Sequence, residues 1–358
     1  MFITALKKLL LPSTLLIIII LFTNQPLWVE QYYTYGLYNN FIAPTLRLLF
    51  GWLPFSLGDV LYLLAILYLL KKVVQFFTKK KWQTLKQYWL QYITKATHFL
   101  LWFYILFLLL WGINYSRPGI AYQLNITPQK YSTQNIVTLI NYHDSVLKTL
   151  DTLQLNNTAA YTFKACKALI APSYNNLHTK YNFINNSNIS FKKSMFGKAG
   201  NYLGFFGYLN PFTNEAQLNN HTPYFLKPFT TLHEVAHQNG YGSESEANLI
   251  GYMASMQSNS EPCKMAACFE VLLYAYAELG VRDTLLQKEY IKKASPIFIT
   301  NYKTLRQYHL KYKSIIDTFT LWLYDAFLKT NKQASGTTSY SELISWLIAH
   351  KNKYNTYP

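Results

Sequence analysis

Two histidines and a glutamate form an H-E-x-x-H motif that runs from His233 to His237. Residues four positions apart project from the same face of an α-helix, so His233 and His237 can bind one metal ion. Imidazole nitrogens are typical Zn²⁺ ligands, and the intervening Glu234 is placed to take a proton from a water molecule that the metal activates. The motif therefore predicts a helical zinc site with Glu234 as the catalytic base.

A catalytic zinc site needs a third protein ligand, with water in the fourth position. Glycine commonly ends helices, so the motif helix should stop at Gly240 or Gly242. A second helix then begins near Ser243, and two acidic residues in its first turn, Glu244 and Glu246, are candidate ligands.

The start of this second helix favours Glu244 as the ligand. Ser243 followed three residues later by Glu246 has the form of a capping box, in which Glu246 bonds back to the Ser243 amide. Glu244 then remains for the metal, and Asn248 shares its helix face and is placed to orient a ligand. Glu246 stays as the alternative ligand, and the third possibility is that both carboxylates are solvated at the helix start.

The elements that precede the motif are apolar. Three runs in the first 113 residues, at about 5–23, 53–70 and 96–113, are each long enough to cross a bilayer. No small-x-small cleavage site follows the first run, so we expect an uncleaved helix. The sequence predicts a membrane domain at 1–113 and a separate domain at 114–358.

The distribution of lysines predicts how these helices are oriented in the membrane. Six of them lie around the loop between the second and third runs: Lys71, Lys72, Lys79, Lys80, Lys81 and Lys86. Cytoplasmic loops carry an excess of lysine and arginine, which places this loop and the N-terminus in the cytoplasm. The domain at 114–358 is then extracytoplasmic, and the expected location is the bacterial inner membrane.

Two features near these spans have more than one interpretation. Asp59, close to the outer end of the second run, is either a functional charge or a solvated cap of the helix. The aromatic-rich stretch from Tyr32 to Trp52 should lie along the outer leaflet, beneath the catalytic domain.

The sequence pattern after residue 113 predicts a mainly α fold with a small sheet. Thr127 and Pro128 should open a helix that runs toward Leu150, and another should cover 157–169. The region 181–219 has the strand pattern, strongest at 202–209, and helices follow from Phe229. The stretch 205–219 is the candidate edge strand for a peptide substrate, or alternatively a hairpin that packs the core.

The composition of the chain limits the classes of partner that we expect. The chain has 358 residues, a net charge of +17 and three cysteines, Cys166, Cys263 and Cys268. Three buried thiols are favoured over a Cys263–Cys268 disulfide. No basic stripe has nucleic-acid geometry, so we expect a lipid bilayer and a peptide or protein substrate as partners and no nucleic acid. The oligomeric state is not determined by the sequence.

The chain also resembles a known family. His233 to Gly240 followed by Glu244 to Asn248 is similar to the bacterial membrane-protein family named domain of unknown function 3810, as are three further motifs at 54–56, 111–118 and 211–216. The Glu-x-x-Ala-Asn spacing also resembles the third-ligand helix of gluzincin peptidases such as the CAAX-type and ImmA-type families. That second resemblance implies Glu244 as the zinc ligand and a gluzincin-like α+β domain; Asn248 stands where those families more often have Asp.

Together these features predict a membrane-anchored zinc metallopeptidase of the cell envelope. The oxyanion stabiliser is expected among three tyrosines, and His221 is expected at the surface or in the core. Those tyrosines are Tyr252, Tyr274 and Tyr276. The alternatives are a non-catalytic zinc-binding sensor or assembly protein, and a structural membrane protein with a chance motif. An intramembrane protease is disfavoured because the motif segment is polar and short.

Overall fold

The computed structural model describes residues 2–79, 85–128, 130–150, 156–184, 189–331 and 340–358. Within these ranges the chain is mostly helical, with one small sheet, as the sequence predicts. The helices are α1 (Phe2–Thr23), α2 (Pro26–Trp28), α3 (Ala43–Phe50), α4 (Leu57–Thr78), α5 (Leu85–Leu110), α6 (Gly119–Gln123), α7 (Thr133–Thr149), α8 (Phe163–Lys180), α9 (Gly197–Leu203), α10 (Lys227–Gln238), α11 (Glu244–Met256), α12 (Glu261–Arg282), α13 (Thr284–Lys293), α14 (Pro296–Tyr312), α15 (Ile315–Thr330) and α16 (Tyr340–Tyr354).

Two helices, α4 and α5, are long and apolar enough to cross a membrane. The number rises to three if the bent pair Lys7–Thr23 and Pro26–Phe50 forms one span. Helices α4 and α5 differ in their bounds from the predicted apolar runs at 53–70 and 96–113. The side chain of Ser56 accepts a hydrogen bond from the amide of Asp59 and so starts α4 at Leu57, and the apolar residues beyond Lys72 extend it to Thr78.

The C-terminal end of α5 also differs from the predicted end at residue 113. α5 ends at Leu110, and residues Gly112–Ser116 form a 3₁₀ turn whose Ile113 is buried in protein. Of the lysines used to orient the spans, Lys80 and Lys81 lie outside the described residues, and the orientation stays a prediction.

The aromatic stretch between α1 and α4 is helical. A π-helix at Val29–Ile42 continues α2 and leads into α3, and the chain bends by 97° at the break after α1. Tyr33 donates a hydrogen bond to the Leu109 carbonyl at 3.0 Å, and Thr34 donates to Asn114 at 3.0 Å. The stretch is thus packed against the end of α5.

The sheet has three strands in the order β1-β3-β2. β1 (Phe191–Lys193) runs parallel to β3 (Glu215–Leu218), and β2 (Gly207–Asn210) pairs with β3 antiparallel, with Gly207 opposite Leu218. The strand pattern over 181–219 is therefore confirmed in part. It is wrong at 197–203, because these residues form α9, which Gly204 terminates with a φ of +80°.

The starts of the helices after residue 113 were less predictable. The helix expected from Thr127 begins at Thr133, because Ser132 and Asn135 form a reciprocal capping box there. The helix expected over 157–169 is a 3₁₀ turn at Thr158–Tyr161 followed by α8. The three cysteines are free and buried, as expected.

Candidate metal centre

The motif helix α10 is buried along nearly its whole length. Its C-terminal end follows the glycine rule, since the helix stops at Gln238 and Gly240 has a φ of +84°. A short connection then leads into α11, whose N-cap Ser243 accepts a hydrogen bond from the Glu246 amide at 3.1 Å. The two helices pack closely, because Gly251 of α11 lies against the backbone of His233.

This packing brings three side chains together. The Nε2 atom of His233 lies 3.2 Å from one carboxylate oxygen of Glu244, and the Nε2 atom of His237 lies 3.4 Å from the other. One ligand atom from each residue lies within 4.8 Å of the other two, so the group could hold a metal ion. Glu244 is the most exposed member, with 22% of its side chain open to solvent.

The donor set fits a zinc ion. Ligands about 2.0–2.1 Å from a tetrahedral Zn²⁺ lie roughly 3.3 Å from one another, close to both separations between imidazole and carboxylate. The Nδ1 atom of His237 lies 2.7 Å from the Tyr241 carbonyl, so it carries the proton and leaves Nε2 available to a metal.

Electrostatics couple the three groups. Burial lowers the pKa of His237, but the carboxylates of Glu244 and Glu234 and the Tyr241 carbonyl together raise it, to about 9. Burial raises the pKa of Glu244, yet the two histidines hold it well below its usual value. A carboxylate with this preference for its charged form is suited to binding a cation.

Glu234 lies beside the cluster and is not part of it. Burial raises the pKa of its carboxyl to about 7, while His233 and His237 oppose the shift. Its buried Oε2 atom has no hydrogen-bond partner among the described residues. A carboxylate with a pKa near neutrality and a free oxygen is suited to accept a proton from water.

The structure separates the two candidate acidic ligands. Glu246 turns away from the histidines and accepts a hydrogen bond from the Ile120 amide at 2.8 Å. Burial raises the pKa of Glu246, which Arg117 and backbone amides oppose. Asn248 is buried near the motif helix, and its Nδ2 atom has no partner among the described residues.

Residues from the N-terminal part of the chain, before residue 114, bind the C-terminal end of the motif helix. Trp111 donates a hydrogen bond to the His237 carbonyl at 3.0 Å. Tyr38 and Arg47 both donate to the Gln238 carbonyl, at 2.9 and 2.5 Å. Carbonyls in the last turn of a helix lack partners further along the helix. Here distant side chains bind them, and the Gly240 amide also donates to the His237 carbonyl at 3.0 Å.

Arg117 binds the connection after the motif helix. Its Nη1 atom donates to the Gly240 carbonyl at 3.1 Å, and its guanidinium forms a bidentate pair with Glu30 at 2.7 and 2.8 Å. The guanidinium also lies 4.5 Å from the ring centre of Tyr241, the residue whose carbonyl orients His237.

The edge strand β2 borders the site. A Cβ atom built on Gly207 would lie 2.6 Å from a carboxylate oxygen of Glu234, so the strand passes directly over the glutamate. Within the candidate stretch 205–219, β2 lies at an edge of the sheet, whereas β3 is central and hydrogen-bonded on both sides.

The three tyrosines proposed as oxyanion stabilisers form hydrogen bonds with groups outside the His233, His237 and Glu244 cluster. The Tyr252 hydroxyl is 2.9 Å from Nε2 of the buried His143, and Tyr276 donates to the Tyr290 carbonyl at 3.5 Å. Tyr274 forms a hydrogen bond with Glu270. His221 is exposed, as expected, and is not a member of the cluster.

Two residues near the cluster were missed by sequence reasoning. Burial raises the pKa of Glu270 to about 7, and the charge of His233 acts on it in the opposite direction. Burial also raises the pKa of Tyr115, and the Glu244 carboxylate raises it further. Neither residue has a local motif, although Tyr115 lies in the segment 111–118 that carried the family resemblance.

Asp59 joins the start of α4 to the sheet. Its carboxylate accepts hydrogen bonds from the Tyr208 hydroxyl at 2.5 Å and the Met195 amide at 2.6 Å. It is fully buried, so it is not the solvated helix cap proposed as one interpretation. Nearby, Glu215 accepts from Ser56 and from the Gly58 amide, which ties β3 to the same helix start.

Comparison with known proteins identifies a family. A family model described as "Protein of unknown function (DUF3810)" matches residues 7–348, nearly the whole chain. No curated protein and no solved structure matches the chain significantly.

Proposed function

The chain belongs to the DUF3810 family, whose description assigns no activity, and we propose that it is a membrane-anchored, zinc-dependent peptidase of the bacterial cell envelope. The observation that carries the proposal is the convergence of His233, His237 and Glu244, with Glu234 beside them. In the proposal the ligands bind Zn²⁺, the catalytic domain is gluzincin-like, and it faces the extracytoplasmic side.

A Zn²⁺ ion held by His233, His237 and Glu244 would supply Lewis acidity, which polarises a carbonyl oxygen and lowers the pKa of water. Glu234 takes the proton of the attacking water and then donates it to the nitrogen of the leaving amine. The pKa of this carboxyl, about 7, suits both directions of proton transfer at neutral pH. Tyr115, beside Glu244, is the better oxyanion candidate than Tyr252 or Tyr276, whose hydroxyls bond elsewhere.

The position of β2 supports a peptide substrate. An extended peptide can add to the exposed edge of a sheet through backbone hydrogen bonds. Because β2 passes over Glu234 at Gly207, a peptide on this edge would present a backbone carbonyl close to the proposed base. The motif helix has 12 residues, about 18 Å, too short for the 30 Å of a bilayer core. An intramembrane site is therefore disfavoured.

Replacing Glu234 tests the mechanism. Glu234→Gln removes the base and none of the three proposed ligands, so we expect zinc content to stay near that of the wild type while peptide hydrolysis falls by at least about 100-fold. Hydrolysis would be followed with a mixed library of fluorogenic peptides and full-length protein in detergent. Unchanged hydrolysis in Glu234→Gln would refute the mechanism.

The alternative is a non-catalytic zinc-binding sensor or assembly protein of the envelope. It would need a closed site with four protein ligands. Among the described residues there are three candidate ligands, Glu244 is partly exposed, and one buried oxygen of Glu234 has no hydrogen-bond partner; these features favour the enzyme. Bound zinc without hydrolysis of any library member by the wild-type protein would favour the alternative.

A further inference from the structure

Helix α15 is apolar on the side that faces away from the protein. Phe319, Trp322 and Leu323 share one helix face by their spacing, and they are 58%, 62% and 46% exposed. Leu328, on the opposite face, is completely buried. A water-facing helix of a globular protein normally carries polar residues on its outer face. We therefore expect this apolar face of α15 to contact an apolar environment.

The length of α15 excludes a transmembrane role. Its 16 residues extend about 24 Å, less than the roughly 30 Å of a bilayer core. An amphipathic or apolar helix of this length is suited to lie in the plane of the interface, with its apolar face buried among the upper acyl chains.

The surroundings of α15 indicate which apolar environment covers it. Phe327 packs against Phe107, with ring centres 6.2 Å apart, and Phe107 lies three residues before the end of α5. On α5 the neighbouring side chains of Leu106 and Leu109 are 47% and 44% exposed. The exposed apolar surface of a helix able to cross the membrane thus continues directly onto α15.

We propose that α15 is an interfacial helix that rests in the bilayer leaflet at the C-terminal end of α5, with Phe319, Trp322 and Leu323 among the lipid chains. Lys329 and Asp325, paired at 2.7 Å, belong at the headgroup level. Phe327 also packs against Tyr115, with ring centres 6.2 Å apart, so the helix holds the metal centre close to the membrane surface.

Spin labels at two positions test this depth. Full-length Leu323→Cys and Phe319→Cys variants would be labelled with a nitroxide and placed in nanodiscs of phosphatidylcholine and phosphatidylglycerol. Collision rates would be measured with oxygen, which partitions into lipid, and with a water-soluble nickel chelate. The native cysteines are buried, and the unsubstituted chain treated with the label is the blank.

Leu285→Cys is the matched control, since Leu285 is 79% exposed on the polar helix α13. We expect the ratio of oxygen to nickel collisions to be several-fold higher at 319 and 323 than at 285. Equal ratios at all three positions would place α15 in water and overturn the proposal. Protection of 319 and 323 from both reagents would also overturn it, because a protein partner or a second copy would then cover the face. None of these outcomes depends on peptidase activity.

Discussion

At the scale of single residues, the candidate centre depends on which acid faces the histidines. Two glutamates in the first turn of α11 have almost the same sequence context, yet only Glu244 lies within 3.2–3.4 Å of the imidazoles. Glu246 instead satisfies the amide of Ile120. The two residues therefore form a natural pair for experiment.

Glu244→Gln should weaken zinc binding strongly, because it removes a charged ligand. We expect the loss to exceed the roughly 10- to 100-fold cost of removing a residue that only orients a ligand. Glu246→Gln is the control and should change the affinity less than about 10-fold. Zinc affinity of the purified full-length variants, measured by competition with a chromogenic chelator, checks this. A larger loss in Glu246→Gln would exchange the roles of the two acids.

His143 of α7 is fully buried, and its Nε2 atom lies 2.9 Å from the hydroxyl of Tyr252 in α11. Burial lowers the pKa of His143 to about 4, while the Leu139 carbonyl opposes the shift. The unfolded chain binds this proton near pH 6.5, so the folded state is most stable above pH 6.5 and loses stability as the pH falls toward 4. The expected loss over this range is about 3 kcal/mol.

Chemical unfolding of the detergent-solubilised protein at several pH values measures this loss. His143→Gln should flatten the stability profile between pH 6.5 and 4 relative to the wild type. The exposed His221→Gln is the matched control and should retain the wild-type slope. A wild-type slope in His143→Gln would show that other groups carry the acid sensitivity.

At the scale of elements, the end of the motif helix is held by long-range contacts. Trp111, Tyr38 and Arg47 bind its last carbonyls, and Arg117 binds the following turn. Two segments that carried the family resemblance meet at this helix end. Trp111 and Arg117 belong to the segment 111–118, and Asn214 of the segment 211–216 accepts a hydrogen bond from Arg47 at 2.7 Å. Helix α10 is thus positioned by residues before 114 as well as by α11.

Arg117→Ala should be strongly destabilising, because it leaves Glu30 buried and without its cationic partner. The expected cost is about 3–5 kcal/mol. Arg282→Ala removes the partner of Glu278 from a more exposed pair, where the expected cost is about 0–1 kcal/mol. The free energies of unfolding of both variants would be compared in the same detergent. Equal costs would mean that the buried pair adds little beyond an exposed one.

At the scale of the whole molecule, the predicted boundary at residue 113 is crossed by many contacts. Asp59 and Glu215 join the start of α4 to the sheet, and Lys192 of β1 donates hydrogen bonds to the carbonyls of Gly51 and Leu53. The division into 1–113 and 114–358 remains a prediction about folding units. These contacts argue that the second part depends on the first.

A fragment of residues 114–358 should therefore fail to reproduce the metal centre. It lacks Trp111, Tyr38 and Arg47, which leaves the His237 and Gln238 carbonyls without these donors. We expect weak or absent zinc binding and reduced helical content by circular dichroism relative to the full chain. A soluble fragment that binds zinc as tightly as the full chain would establish 114–358 as an independent domain.

The sequence by itself determined the features that depend on local geometry. Four-residue spacing aligned His233 with His237, Gly240 ended the helix, and the lengths of the apolar runs predicted spans near α4 and α5, because helical periodicity and backbone conformation are properties of short segments. Only the tertiary structure decided the direction of Glu246 toward Ile120, the burial of Asp59 and the positions of Glu270 and Tyr115. These depend on hydrogen bonds and packing between residues far apart in the chain, which no local pattern encodes.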